Sequence, residues 1–167
     1  ANVNAPLADG ATALLWAAQW DDLAMADLML RSGARVNAAN DFGVAPLTVA
    51  ATNGSAAMIR RLLKAGGNPN TALPTGETAL MTAAVTARVE AVHALLDGGA
   101  DVNAREATKG QTALMWAISE GNTDVSRALI DRGADVKATS NSGFTPLMFA
   151  ARQGDMDTVR LLMAHGA

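Results

Sequence analysis

Apolar and small residues return along this chain at a fixed interval. Leu occurs at positions 14, 47, 80, 114 and 147, in steps of 33, 33, 34 and 33. Gly10, Gly43, Gly76, Gly110 and Gly143 share those steps, and so do Gly33, Gly66, Gly99, Gly133 and Gly166. Three series with one irregular interval mark an internal repeat. An interval of this length signals a stacked supersecondary unit rather than a set of independent domains. The single extra residue falls between Gly99 and Gly110, in the stretch Arg105 to Lys109.

Within each unit the pattern predicts a short helix, a turn, a second helix and a long loop. The first helix opens after Thr12, Thr78, Thr112 or Thr145, whose hydroxyls suit an N-cap. Pro46 and Pro146 sit at the first helical position, where a missing N–H does no harm. Small residues follow at Ala17–Ala18, Ala50–Ala51, Ala83–Ala84 and Ala150–Ala151, with Ala117–Ile118 the variant, so neighbouring helices can approach closely. The helix is expected to end on a left-handed residue at Gly54, Gly121 and Gly154. Asp21 and Ala87 hold that position in the first and third units, where the same backbone costs about 1 kcal/mol each. Asp22, Ser55, Asn122 and Asp155 are expected to cap the second helix, with Arg88 the exception. Its buried stripe is Met29–Leu30, Leu62–Leu63, Leu95–Leu96, Leu129–Ile130 and Leu162–Met163. Val36-Asn37-Ala38 and Val102-Asn103-Ala104, with the variants Pro69-Asn70 and Val136-Lys137-Ala138, then read as a hairpin-like finger. Trp16, Trp116 and Phe149 share one phase with Val49 and Thr82, and are expected in the core between units.

Gly143-Phe144-Thr145-Pro146-Leu147 and Gly99-Ala100-Asp101-Val102-Asn103-Ala104 are the best copies of a motif that resembles the ankyrin repeat family. The resemblance runs through the whole chain five times. It implies an all-α solenoid of stacked helix-turn-helix units with projecting finger loops. It further implies one domain over 1–167, with repeats at about 6–38, 39–71, 72–104, 105–138 and 139–167. The family usually has His after the box Leu, where it ties the loop down. Here Leu15, Thr48, Met81, Met115 and Met148 stand instead, so packing by adaptable Met is expected to replace an imidazole network.

In proteins of this kind partners bind the finger tips and the exposed side of the first helices. The repeat phase carries that role to Asp9, Asp41, Phe42, Val44, Thr75, Glu77, Lys109, Gln111, Ser142 and Phe144 on the fingers. On the helices it selects Gln19, Trp20, Thr52, Asn53, Val85, Thr86, Ser119, Glu120, Arg152 and Gln153. Positions without a packing duty should be polar, yet Trp20, Phe42 and Phe144 are large aromatics in a chain with three Trp, three Phe and no Tyr. Aromatics and Arg commonly anchor interfaces.

Composition narrows the chemistry. The 167 residues carry no Cys and a formal charge of −3. There is thus no thiol nucleophile, disulfide or Cys-type zinc site. The predicted face holds four acids against two bases, with no basic stripe for nucleic acid. No apolar run is long enough to span a membrane. His93 and His165 lie 72 positions apart and in different phases, which gives no nucleophile–base pair. Lys109-Gly110-Gln111-Thr112 has a phosphate loop's residues in the wrong order. Asp97, Asp101, Asp131 and Asp135 suit helix ends and turns. Asn53-Gly54-Ser55 matches a glycosylation acceptor only as a short motif without context.

The expected function is therefore a non-enzymatic module without cofactor or metal that binds a protein partner through its concave face. The alternative is a structural spacer in a longer array, or a regulatory module of a larger protein. Val3-Asn4-Ala5 repeats the finger tail, and Leu161, Leu162 and Met163 are expected to lie uncovered. The chain is accordingly expected to be a piece of a longer array, or its ends to pack on a neighbour; it is expected to be a monomer unless its end repeats pack together. Its compartment is left unassigned.

Overall fold

The computed structural model describes residues 2–167. Among them, ten helices follow one another in five antiparallel pairs. The first pair is α1 (Ala13–Gln19) and α2 (Leu23–Arg31), and the second is α3 (Pro46–Thr52) and α4 (Ala56–Lys64). The third is α5 (Ala79–Ala84) and α6 (Val89–Asp97), and the fourth is α7 (Ala113–Ser119) and α8 (Thr123–Asp131). The last is α9 (Pro146–Gln153) and α10 (Met156–Ala164). Each first helix packs on its own second helix and on the first helix of the next pair, so the molecule is an all-α solenoid of two helical rows.

Local sequence sets these boundaries as expected. Thr12, Thr78, Thr112 and Thr145 each accept a backbone N–H three residues on. Pro46 and Pro146 start α3 and α9. Asp22, Ser55 and Asp155 cap their helices through the side chain. Asn122 does not. Its amide instead donates to the Ala84 carbonyl at 2.9 Å. The end of a helix leaves carbonyls without partners, and a neighbouring amide can satisfy one. Asn53 does the same for Ala18 and Gln19, and Gln153 for Ser119.

The first helices end in the left-handed region at every repeat. Gly54, Gly121 and Gly154 have φ of 66°, 71° and 71°, and Asp21 and Ala87 keep that backbone at 52° and 58°. These are the described residues other than Gly with positive φ. The stack is thus uniform enough to impose its turn on side chains that disfavour it.

Alanine makes the close packing possible. Ala50, Ala51, Ala83, Ala84 and Ala117 are fully buried, and α5 is buried along its whole length. In α2, at one end of the stack, Ala26 is buried while Met25 and Leu28 are exposed. At the other end the structure corrects an expectation. Leu161 and Leu162 are covered by the chain's own packing, and Met163 alone of the three is exposed.

Asparagines tie successive fingers together. Asn4, Asn37, Asn70 and Asn103 each donate to the carbonyl of Gly33, Gly66, Gly99 or Gly133. The same four side chains accept the N–H of Arg35, Asn68, Asp101 or Asp135. One amide thus satisfies a donor and an acceptor of the following repeat, which fixes the finger register along the solenoid. Lys137 holds this phase in the next finger and has no acceptor to offer.

Candidate functional site

The fingers are short hairpins, each closed by a backbone bond, and the third adds one from Ala79 N–H to the Thr71 carbonyl. The N–H groups of Leu7, Asn40, Leu73, Glu106 and Ser140 donate to the carbonyls of Ala11, Val44, Glu77, Gln111 and Phe144. Side chains close the tips. Asn40 Oδ1 accepts the N–H of Phe42 and Val44, and Ser140 Oγ accepts that of Phe144. The fourth finger carries the extra residue, and there the longer Glu106 takes over this role. Its carboxylate takes the N–H groups of Thr108, Lys109 and Gln111 at 2.6 to 3.0 Å. Burial pushes the Glu106 carboxyl up. The backbone donors, led by Gln111, outweigh that and hold its pKa below the ordinary glutamate value.

Neighbouring tips are also joined by backbone. Asp41 N–H donates to Asp9 O at 3.0 Å, Ala107 to Thr75 at 2.9 Å and Asn141 to Lys109 at 2.8 Å. Between the second and third fingers the equivalent residue is Pro74, which has no N–H. Its ring lies so close to Gly43 that a Cβ there would sit 2.7 Å from the proline Cδ.

Several large aromatic side chains are exposed on the fingers and first helices. Trp20 is 75% exposed and stacks on Trp16, with ring centroids 6.4 Å apart. Phe42 is 70% exposed. Phe144 is exposed at one edge and leans on Phe149, with centroids 5.7 Å apart. The Arg152 guanidinium covers both of these rings, at 5.8 and 5.2 Å from their centroids. Beside it, a cavity of about 330 Å³ opens between α5, α7 and α9, with Trp116, Phe149, Lys109 and Arg152 in its walls. Gln111 and Trp116 continue from it into a smaller cavity under the third and fourth fingers.

A family model described as ankyrin repeats matches residues 14–106 and 103–167. The chain belongs to the ankyrin-repeat family. Its general function is the one typical of ankyrin-repeat proteins, protein–protein interaction. No curated protein matches the chain closely enough to serve as a relative.

Within this ankyrin solenoid the expected partner-facing residues fall into three groups. Gln19, Trp20, Asp41, Phe42, Thr75, Val85, Lys109, Glu120, Ser142, Phe144 and Arg152 are exposed, and Val44, Gln111 and Ser119 are half-buried. The remaining six also bond within the chain, although Asp9, Thr52, Asn53 and Gln153 among them are exposed. Asn53 and Gln153 tie first helices together, and Asp9 accepts the Ala11 N–H. The Thr52 and Thr86 hydroxyls donate to the carbonyls of Thr48 and Ala83, and Glu77 accepts the Thr82 hydroxyl.

Trp16 is a correction: it is 40% exposed and stacks on Trp20 instead of lying in the core. Val49 and Thr82 share its phase and are buried, but a Trp there overhangs the helix row. Trp116 is half-buried, and Phe149 is buried yet lines the cavity. The sequence shows these rings as large aromatics in one phase. It does not show their depth along that phase. The role of Glu106 has one sequence signal, the extra residue that lengthens its finger.

Among the described residues, no group of three His, Cys, Asp or Glu could hold a metal ion, and no helix is long and apolar enough to cross a membrane. His93 lies half-buried on α6, and His165 caps α10 with Nδ1 2.8 Å from the Leu161 carbonyl. Asp97 pairs with Arg132 of the next repeat, whose hydrogen bond lowers its pKa.

Proposed function

We propose that the chain binds a protein partner through the concave face formed by the fingers and the first helices. The observation that carries this reading is the exposure of Trp20 and Phe42, 75% and 70%, beside the half-open Trp16 ring. Rings of that size in water lose favourable burial, and they recover it when a partner covers them. They stand on a rigid platform, because the helices beneath are buried in alanine contacts and the fingers are locked by backbone bonds. A preorganised surface loses little freedom on binding.

The test is a double variant, Trp20→Ala with Phe42→Ala, against a control on the outer row, Met25→Ala with Leu28→Ala. A partner captured by the wild-type chain should bind the concave variant at least about tenfold more weakly, as for a small hot-spot cluster. Melting of that variant should stay close to wild type, since neither ring is in the core. Loss of binding in the outer-row control, with the concave variant unaffected, overturns the reading.

A further inference from the structure

The two cations of the predicted face stand together, with Glu120 beside them and Glu77 and Glu106 in the adjoining cavity that Lys109 also lines. Asp9 and Asp41 stand exposed at the first two fingers. Lys109 and Arg152 stand in the fourth and fifth repeats and line one cavity together with Trp116 and Phe149. Neither cation forms an ion pair among the described residues, whereas Arg61, Arg132 and Arg160 each hold an aspartate on other surfaces. Glu120 also lines the cavity, so its walls carry two positive charges and one negative in a chain of net charge −3.

The backbone of Lys109 and the guanidinium of Arg152 are both held in place. Lys109 lies in the finger that Glu106 closes, with its N–H on that carboxylate and its carbonyl on Asn141 N–H. Arg152 is laid over Phe144 and Phe149, which orients the guanidinium without neutralising it. A stacked, unpaired guanidinium and an ammonium in a cavity that Trp116 also lines match a carboxylate attached to an apolar stem. Arg can take such a group through two parallel N–H bonds.

We propose that this cavity receives an acidic side chain of an extended, Glu- or Asp-bearing segment of the protein partner, with Lys109 and Arg152 as its counter-charges. The proposal rests on the concave-face reading and names the chemistry of one part of that face. Trp116 and Phe149 would cover the apolar stem of the residue.

The test is a titration of isotope-labelled protein, followed by NMR, with three end-blocked hexapeptides of alternating Leu and Glu, Leu and Gln, or Leu and Lys. The Glu peptide should shift the signals of Lys109, Trp116 and Arg152 saturably and bind more weakly as salt is raised. The Gln peptide should bind about tenfold more weakly, as for loss of a charge-assisted bond. Lys109→Gln, which leaves the Arg152 stack intact, and Lys109→Gln with Arg152→Gln should each weaken the Glu peptide while melting is unchanged. If the Gln peptide binds this cavity as tightly as the Glu peptide, the carboxylate assignment falls and the concave face stands. Saturable shifts confined to the second helices, or none with the Glu peptide, also overturn the assignment. The concave face itself is decided separately by Trp20 and Phe42, at the opposite end of the solenoid.

Discussion

Both carboxylate oxygens of Glu106 accept the backbone N–H of Lys109, at 2.8 and 3.0 Å. The same carboxylate holds Thr108 and Gln111, so in the finger with the extra residue an ionised side chain does what Asn40 and Ser140 do elsewhere. Because the folded pKa lies below the usual glutamate value, the stabilisation is fully present above the unfolded value of about 4.5. It is lost as pH falls through the lower folded value. Glu106→Gln should cost about 1–3 kcal/mol at neutral pH, since one amide oxygen cannot serve three donors. Thermal melts of both proteins from about pH 7 to about pH 3 should show the gap narrowing below about pH 4.5. A gap independent of pH would exclude a role for the charge. Asp155 is lowered in the same sense, chiefly by the Thr158 hydroxyl, and adds to the acid sensitivity of both proteins.

Ala87 at φ 58° and Asp21 at φ 52° occupy a turn that three other repeats give to glycine. Alanine gains nothing from the left-handed region, whereas a short polar side chain tolerates it better. Ala87→Gly should stabilise the fold by about 0.5–1 kcal/mol after the greater freedom of glycine in the unfolded chain is subtracted. Asp21→Gly should gain less. Denaturant midpoints for the two variants check the order, and a destabilised Ala87→Gly protein would show that the backbone there is not strained.

How far the sequence reveals this molecule depends on which physical constraint acts at each position. Gly54, Gly121 and Gly154 are legible because a left-handed turn selects glycine locally, and Thr12, Thr78, Thr112 and Thr145 because a cap is a three-residue event. Ankyrin stacking is therefore readable from one dimension. Trp16 departs from its expected place because helical phase gives a direction, not the depth at which a large ring clears its neighbours. Asn122 departs from its expected role because its amide is turned to donate to the Ala84 carbonyl of the preceding repeat, a contact that stacking sets and local sequence does not. The cavity between Lys109 and Arg152 joins residues 43 positions apart. The repeat phase puts both on the same face, but only the packing of the fourth and fifth repeats brings them into one cavity with Trp116 and Phe149.

Thr48 Oγ1 is sealed from solvent and has no hydrogen-bond partner. The other repeats carry Leu15, Met81, Met115 and Met148 at this phase, so nothing in the local geometry requires a hydroxyl. A buried hydroxyl without a partner costs about 1–3 kcal/mol on mutational scales, and a methyl of similar shape does not. Thr48→Val should therefore stabilise the protein by about 1 kcal/mol, near the low end of that range. The shift should appear in the melting temperature with no change in far-ultraviolet dichroism. A loss of stability would show that the hydroxyl finds a partner in solution.

Pro74 interrupts the row of tip-to-tip bonds that Asp41, Ala107 and Asn141 make with the finger before each of them. Its ring meets Gly43, so the second and third fingers are joined there by packing rather than by a backbone bond. Pro74→Ala supplies an N–H where Phe42 O holds the position of the acceptors Asp9, Thr75 and Lys109. A new bond contributes about 0.5–1.5 kcal/mol, while the freer unfolded chain takes back about 0.4–1 kcal/mol. The two nearly cancel, so melting should hardly move. The difference lies in local protection. In the Pro74→Ala variant the amide introduced by the substitution should exchange with solvent about as slowly as those of Asp41, Ala107 and Asn141, because all four would be closed by the same type of bond. Free exchange at that amide would mean that the two tips are held apart by more than the proline ring.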